Sequence, residues 1–146
     1  MELRANEFPS TLETIYFGGG TPSFVEPQSI ERILLAIKGR FPQANWREIT
    51  LEANPDDMTD AHLKAWKAIG ISRLSVGVQS FHDHHLQWMH RAHNAQTAIE
   101  ALSKAKTYGF ELSLDLIFGI PGSSQSEWLH NLDTALQFDP EHLSCY

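Results

Sequence analysis

Hydrophobic and polar positions along the chain fall into two rhythms, and their alternation sets out the elements. "TIYFGGG", from Thr14, is a short apolar run that reads as a buried strand ending in a glycine turn. "EPQSIERILLAIKGRF" reads as a helix, with Ile30, Ile33, Leu34 and Ile37 sharing a face at helical spacing and Gly39 as its stop. Asn45 to Ala53 holds the next strand, centred on Ile49 and Leu51, and "NPDD" breaks it. Thr59 is placed to cap a second helix striped by Leu63, Trp66 and Ile69 and ended by Gly70. In "RLSVGVQSF", Leu74, Val76 and Val78 alternate with small or polar residues, as in a strand. A His-rich connection leads to a helix over "NAQTAIEALSKAKTYG", with Ile99, Leu102 and Ala105 inward and Gly109 as the stop. "FELSLDLIFG" is the fourth strand. "PGSSQSEWLHNLDTALQF" is a turn and a helix that groups Trp128, Leu129, Leu132 and Leu136, and "PEHLSCY" begins a fifth strand.

Strands and helices therefore alternate, one unit per roughly 30 residues, which predicts right-handed crossovers and a parallel sheet. The strands are rich in Val, Ile and Leu, which predicts cover on both sides. Residues 1–13 read as the tail of a preceding helix or loop, and 14–146 as an incomplete part of a larger α/β barrel or sheet. The strands at "TIYF" and "HLSCY" are expected to keep an unpaired edge.

Composition narrows the function. Of 146 residues, 42% are hydrophobic, enough for a real core, and the formal net charge is -7. That balance argues against a nucleic-acid footprint and against an anionic membrane surface as partner. With one cysteine, Cys145, no intramolecular disulfide is available. No apolar run approaches the roughly 20 residues of a membrane span. The first ten residues lack the basic and apolar regions of a signal peptide, so a cytoplasmic protein is expected.

In parallel α/β folds the C-terminal ends of the strands form the site. Those ends carry Gly18, Gly19, Gly20 and Thr21, then Glu52 with Asn54, then Gln79 and Ser80, then Asp115 with Gly119 beyond it. Any one of these alone reads as turn chemistry or helix capping; jointly they read as a polar ligand site. Glycines let the backbone approach a ligand and present N–H groups to a carboxylate or phosphate. Pro22 fixes the loop's exit. Glu52 can take an ammonium or a ribose hydroxyl, Gln79 can donate and accept, and Arg91 offers a fork for a carboxylate. Together they suit a zwitterionic, ribose-bearing ligand. "GGGTPS" lacks the Gly-Lys-Ser/Thr ending of a phosphate-binding Walker loop.

In order and spacing, "FGGGTPS", "LEANP", "ISRLSVGVQSF", "HRAH" and "LDLIFGIPGSS" resemble the radical S-adenosylmethionine (SAM) family of oxygen-independent coproporphyrinogen III oxidases, and most of all its haem-chaperone-like branch. The resemblance runs from Thr14 to Tyr146. It implies a partial TIM-like (β/α)6 barrel, of which strands two to six are present. It also implies a [4Fe–4S] cluster that splits SAM to a 5′-deoxyadenosyl radical, an electron donor, and a porphyrinogen or haem as partner. By similarity Gly19, Gly20 and Thr21 hold the methionine part of SAM. Glu52, Gln79, Arg91 and Asp115 match positions that contact its amino acid and ribose, and "GIPG" from Gly119 resembles the turn on the adenine side. The family's Cys-x3-Cys-x2-Cys cluster loop has no counterpart in this sequence, where Cys145 stands alone. The cluster is therefore expected only in an intact parent, with no catalytic residue and no activity in this stretch by itself. The leading expectation is oxidase-type hydrogen-atom abstraction by that parent. The alternatives are a haem chaperone that delivers haem to apoproteins, and an inactive fragment.

Five histidines, His82, His84, His85, His90 and His93, crowd into "FHDHHLQWMHRAH". They read as a polar, solvent-facing loop and helix start, as haem ligands, or as zinc ligands, although no HExxH or paired CxxC supports zinc. Trp46, Trp66, Trp88 and Trp128 read as packing residues, with porphyrin stacking the alternative. Cys145 reads as a buried strand thiol.

Overall fold

The computed structural model describes residues 12–146, so the stretch read as a preceding tail lies outside the described residues except for its last two positions. Five strands form one parallel sheet in the order β1-β2-β3-β4-β5: β1 (Thr14–Phe17), β2 (Glu48–Ala53), β3 (Arg73–Gln79), β4 (Glu111–Leu116) and β5 (His142–Cys145). The crossovers carry α1 (Pro27–Arg40), α2 (Asp60–Ile69), α3 (Asp83–Trp88), α4 (Ala95–Thr107) and α5 (Gln125–Leu136). This is the α/β architecture of a partial barrel. Among the described residues β1 pairs only with β2 and β5 only with β4.

Helix ends follow the local chemistry. The Thr59 hydroxyl accepts from the His62 N–H and the Asn94 side chain from the Thr97 N–H. Ser124 and Glu127 form a reciprocal capping box at the start of α5. Gly70 and Gly109 turn left-handed (φ 99° and 74°) to end α2 and α4. Gly39 does not stop α1, which continues to Arg40 with Phe41 as its C-cap. The His-rich connection holds a helix of its own, α3, which its lack of an apolar stripe concealed.

Successive side chains of a strand point to opposite faces. On one face Leu51, Leu74, Val76, Val78, Leu112, Leu114 and Leu116 pack against Ile30, Leu34, Leu63, Trp66, Ala98 and Leu102 of the helices. The opposite face presents Glu48, Thr50, Glu52, Arg73, Ser75, Ser113 and Asp115 to a hollow of about 370 Å³. Among the described residues the sheet is thus covered by helices on one side only, contrary to the expectation of cover on both. The abundance of Val, Ile and Leu came from the helix-facing positions alone.

Helical periodicity also overstated burial at the two ends of the helical layer. Ile33 on α1 is 48% exposed, and Leu129 and Leu136 on α5 are 51% and 58% exposed. Only half of each stripe reaches the sheet, because among the described residues α1 and α5 are the outermost helices of the layer. Cys145 is exposed rather than buried, since it sits at the end of the edge strand β5. Trp66 is fully buried and Trp128 packs against the core, whereas Trp88 is 56% exposed.

Candidate functional site

The glycine loop after β1 is shaped by three separate demands for glycine. A Cβ on Gly18 would lie 2.6 Å from the Tyr16 ring and 2.8 Å from Glu52 Oε1, so no side chain fits. Gly19 and Gly20 have φ of 89° and 66°, a region that other residues enter at a cost. The loop then runs through Thr21 into a short 3-10 turn, Pro22–Phe24. There the Ser23 hydroxyl accepts from the Asn54 N–H and donates to Asp57, which ties the loop to the end of β2.

Glu52, on the polar face of β2, is held from two sides. Its Oε2 accepts from the Gly19 N–H at 2.8 Å and its Oε1 from the Tyr16 hydroxyl at 2.9 Å. Asp115 projects from the same face of β4. Burial pushes its carboxyl above the ordinary range and the Glu52 charge adds to this, while a hydrogen bond with Ser144 opposes it. Burial likewise raises the Tyr16 phenol. Glu52 and Asp115, neither of them in an ion pair among the described residues, favour a ligand that brings positive charge or hydroxyl donors.

Gln79 ends β3 in a left-handed conformation, φ 68°, at a shift of register between β3 and β4. A non-glycine residue held there by the fold marks a strained position of the kind found at binding sites. Gly77 makes room for it, since a Cβ there would meet Gln79 Nε2 at 2.9 Å. Arg91 comes from the turn after α3 and reaches back, its Nη2 donating to Asn54 Oδ1 at 2.7 Å and to the Gly77 carbonyl at 3.2 Å. Behind it the buried His93 sits 3.0 Å from the Val78 carbonyl and 3.7 Å from an Asp56 oxygen. Burial holds its imidazole below the usual range.

Of the seven residues singled out, Gly20, Thr21, Glu52, Gln79, Arg91 and Asp115 line one cleft of about 180 Å³. Gly19 is tied to the cleft through Glu52. The sequence reading missed Tyr16, Ser75 and Gly77; all three lie at the same strand parity as Glu52, Gln79 and Asp115, and that parity was their signal. Asn54, read as a rim residue, positions Arg91.

The five histidines do not form one site. His82, His84 and His85 gather against Glu127 and His130. His90 is exposed on a left-handed turn (φ 54°), and His93 backs the cleft. His85 is 2% exposed and His93 4%, so neither is part of a solvent-facing loop.

The sequence matches the family model of the radical SAM superfamily over residues 1–135, and the chain belongs to that superfamily. It is 39% identical over 137 residues to the haem chaperone HemW of Bacillus subtilis and 40% identical over 136 residues to that of Haemophilus influenzae. In each case 92% of this chain is covered, against 36% of the relative. The chain superposes on the E. coli radical SAM enzyme coproporphyrinogen III oxidase (HemN) with a TM-score of 0.85 and 28% identity, covering 99% of this chain and 34% of that one. The chain thus spans about a third of the length of these proteins. The superfamily's cofactors are SAM and a [4Fe–4S] cluster. The cleft's donors suit the first, because carboxylates, an amide and a guanidinium converge beside an open glycine loop. One exposed thiol cannot supply the thiolates a cluster needs, so these residues do not hold the second.

Proposed function

We propose that this chain forms the SAM-binding wall of a haem-handling radical SAM protein. The observation that carries this reading is the meeting of six dispersed residues, from the glycine loop to Asp115, in one cleft at the C-terminal ends of the strands. The glycine loop and Arg91 would orient the methionine end, Arg91 as the cation for its carboxylate and the loop by close backbone approach. Glu52 and Asp115 would take the ammonium and the ribose hydroxyls, and Gln79, fixed by its backbone, would register the ligand along the wall. When bound beside a cluster, SAM supplies hydrogen-atom abstraction chemistry. The likeness to HemW proteins supports haem delivery as the parent's role. The superposition on coproporphyrinogen III oxidase supports a second reading, oxidative decarboxylation of a porphyrinogen.

Isothermal titration of SAM into the 146-residue chain tests the first part. Saturable binding that weakens at least about tenfold in Glu52→Gln and Asp115→Asn is expected, since each loses a charge-assisted hydrogen bond. Equal binding by both variants would overturn it. Assaying the parent protein for coproporphyrinogen decarboxylation against haem transfer to an apoprotein separates the two roles.

A further inference from the structure

Away from the cleft, the cluster of histidines between α3 and the start of α5 has the chemistry of a metal centre. One nitrogen each of His82 and His84 and a carboxylate oxygen of Glu127 lie within 4.8 Å of one another. The Glu127 carboxylate is divided between two tasks. Its Oε2 accepts from the Ser124 N–H at 2.7 Å and from the Ser124 hydroxyl at 2.8 Å, completing the capping box. Its Oε1 faces the imidazoles, 3.0 Å from His84 Nε2 and 4.0 Å from His85 Nε2. The cap therefore fixes the carboxylate while leaving one oxygen for a ligand.

The second observation is His85. Its ring is 2% exposed, its Nδ1 lies 2.9 Å from the Ser80 hydroxyl, and its Nε2 is buried without a hydrogen-bond partner. A buried ring nitrogen with no partner is costly, and this one points at the shared carboxylate oxygen. The outer contacts also have the form seen around metal-bound histidines, in which one ring nitrogen is held by protein so that the other can ligate. Ser80 holds His85 in this way. The Glu127 carbonyl, 3.2 Å from Nε2 of His82, does the same for that ring.

We propose that His82, His84, His85 and Glu127 bind one divalent transition-metal ion of the zinc type, which ties α3 to the first turn of α5. Three nitrogens and one carboxylate oxygen are a borderline-soft set suited to zinc, cobalt or nickel. With bonds of about 2.0 Å in a tetrahedral site the ligand atoms stand roughly 3.3 Å apart, so the His82, His84 and Glu127 atoms, within 4.8 Å of one another, close by up to about 1.5 Å. His85 Nε2, 4.0 Å from Glu127 Oε1, is the fourth ligand outside that tighter group. Haem fits less well, because a porphyrin fills four positions of its iron and leaves no use for several ligands converging from one side. The proposal is independent of the SAM reading and concerns residues outside that cleft.

Co2+ is the probe. Titrated into the 146-residue chain, it is expected to bind at one equivalent with visible absorption bands that Zn2+ abolishes. His84→Ala and His82→Ala should each weaken binding by at least about tenfold, and His90→Ala should leave it unchanged. His84 is exposed, so its loss leaves the packing intact. As a check that does not depend on the spectrum, Zn2+ should raise the melting temperature of the chain but not that of His84→Ala. Absence of saturable binding, or equal affinity in the His84→Ala and unsubstituted chains, would overturn the proposal. So would a haem Soret shift that depends on His84 in a chain that binds no Co2+.

Discussion

The two faces of the sheet share the same strands and differ in almost everything else. On β3, Leu74, Val76 and Val78 are fully buried against the helices, and between them Ser75, Gly77 and Gln79 line the polar hollow and the cleft. One face is held by burial of apolar area, which is non-directional and tolerant of detail. The other is held by specific pairs, such as Arg73 with Glu48 at 3.0 Å and Tyr16 with Glu52. A single chain of alternating residues thus separates stability from recognition at a spacing of one residue.

The sharpest way to break that contrast is to truncate neighbours. Leu74→Ala should cost about 2–5 kcal/mol in urea denaturation through the lost transfer energy and the cavity left behind. Ser75→Ala, next along the chain, should cost less than about 1 kcal/mol, the net worth of a typical hydrogen bond. Similar costs for the two would mean that the polar face also carries the fold.

Next in size is the opposition between binding and stability at Asp115. Asp115→Asn should weaken SAM binding about 10–100-fold, the worth of a charge-assisted hydrogen bond. It should raise the melting temperature near neutral pH, because the buried carboxylate titrates above its ordinary range and its charge is a burden to the fold. Unchanged stability would remove Asp115 from the groups that the site holds at the fold's expense.

Backbone strain comes third. Gly20→Ala, at φ 66°, should cost about 1–2 kcal/mol and distort the loop. Gly39→Ala, in the last turn of α1, should stabilise by roughly 0.4–1 kcal/mol. Thermal melts of the two variants compare glycines of opposite meaning.

The smallest effect is a gentle pH dependence. Burial lowers the His85 and His93 imidazoles from their usual 6.5. Between that value and the lower folded one, the unfolded chain binds the protons that the fold refuses. Stability is therefore complete above about pH 6.5 and declines as pH falls toward the folded values. Melts from pH 7.5 to 5 should show the decline, and His93→Gln should flatten it.

These contrasts explain what could be read from the sequence. The element order and the strand centres followed from periodicity, and Glu52, Gln79 and Asp115 were legible because they fall at strand ends on the polar parity. Arg91 came from the resemblance and its fork chemistry, since it sits on a turn that periodicity does not address. Other features stayed hidden for physical reasons. Periodicity shows that Ile33 and Leu129 share a face with buried neighbours, but not whether another helix covers them. The left-handed Gln79 carries no signature, because nothing but its surroundings holds it there. His85 looked like one of several surface histidines; its partner is the Ser80 hydroxyl just past β3, which is itself held by the Asn131 amide of the distant helix α5.

The strand order, in which every strand lies beside the one that precedes it in sequence, also bears on how the sheet is assembled. Each addition needs only one crossover to close, with no long excursion to a distant partner, so the entropy of closure is met in small equal steps. A chain emerging from the ribosome can lay down β2 on β1 before β3 exists, and so on outward. Synthesis order and spatial order coincide, and the growing edge is always the newest strand.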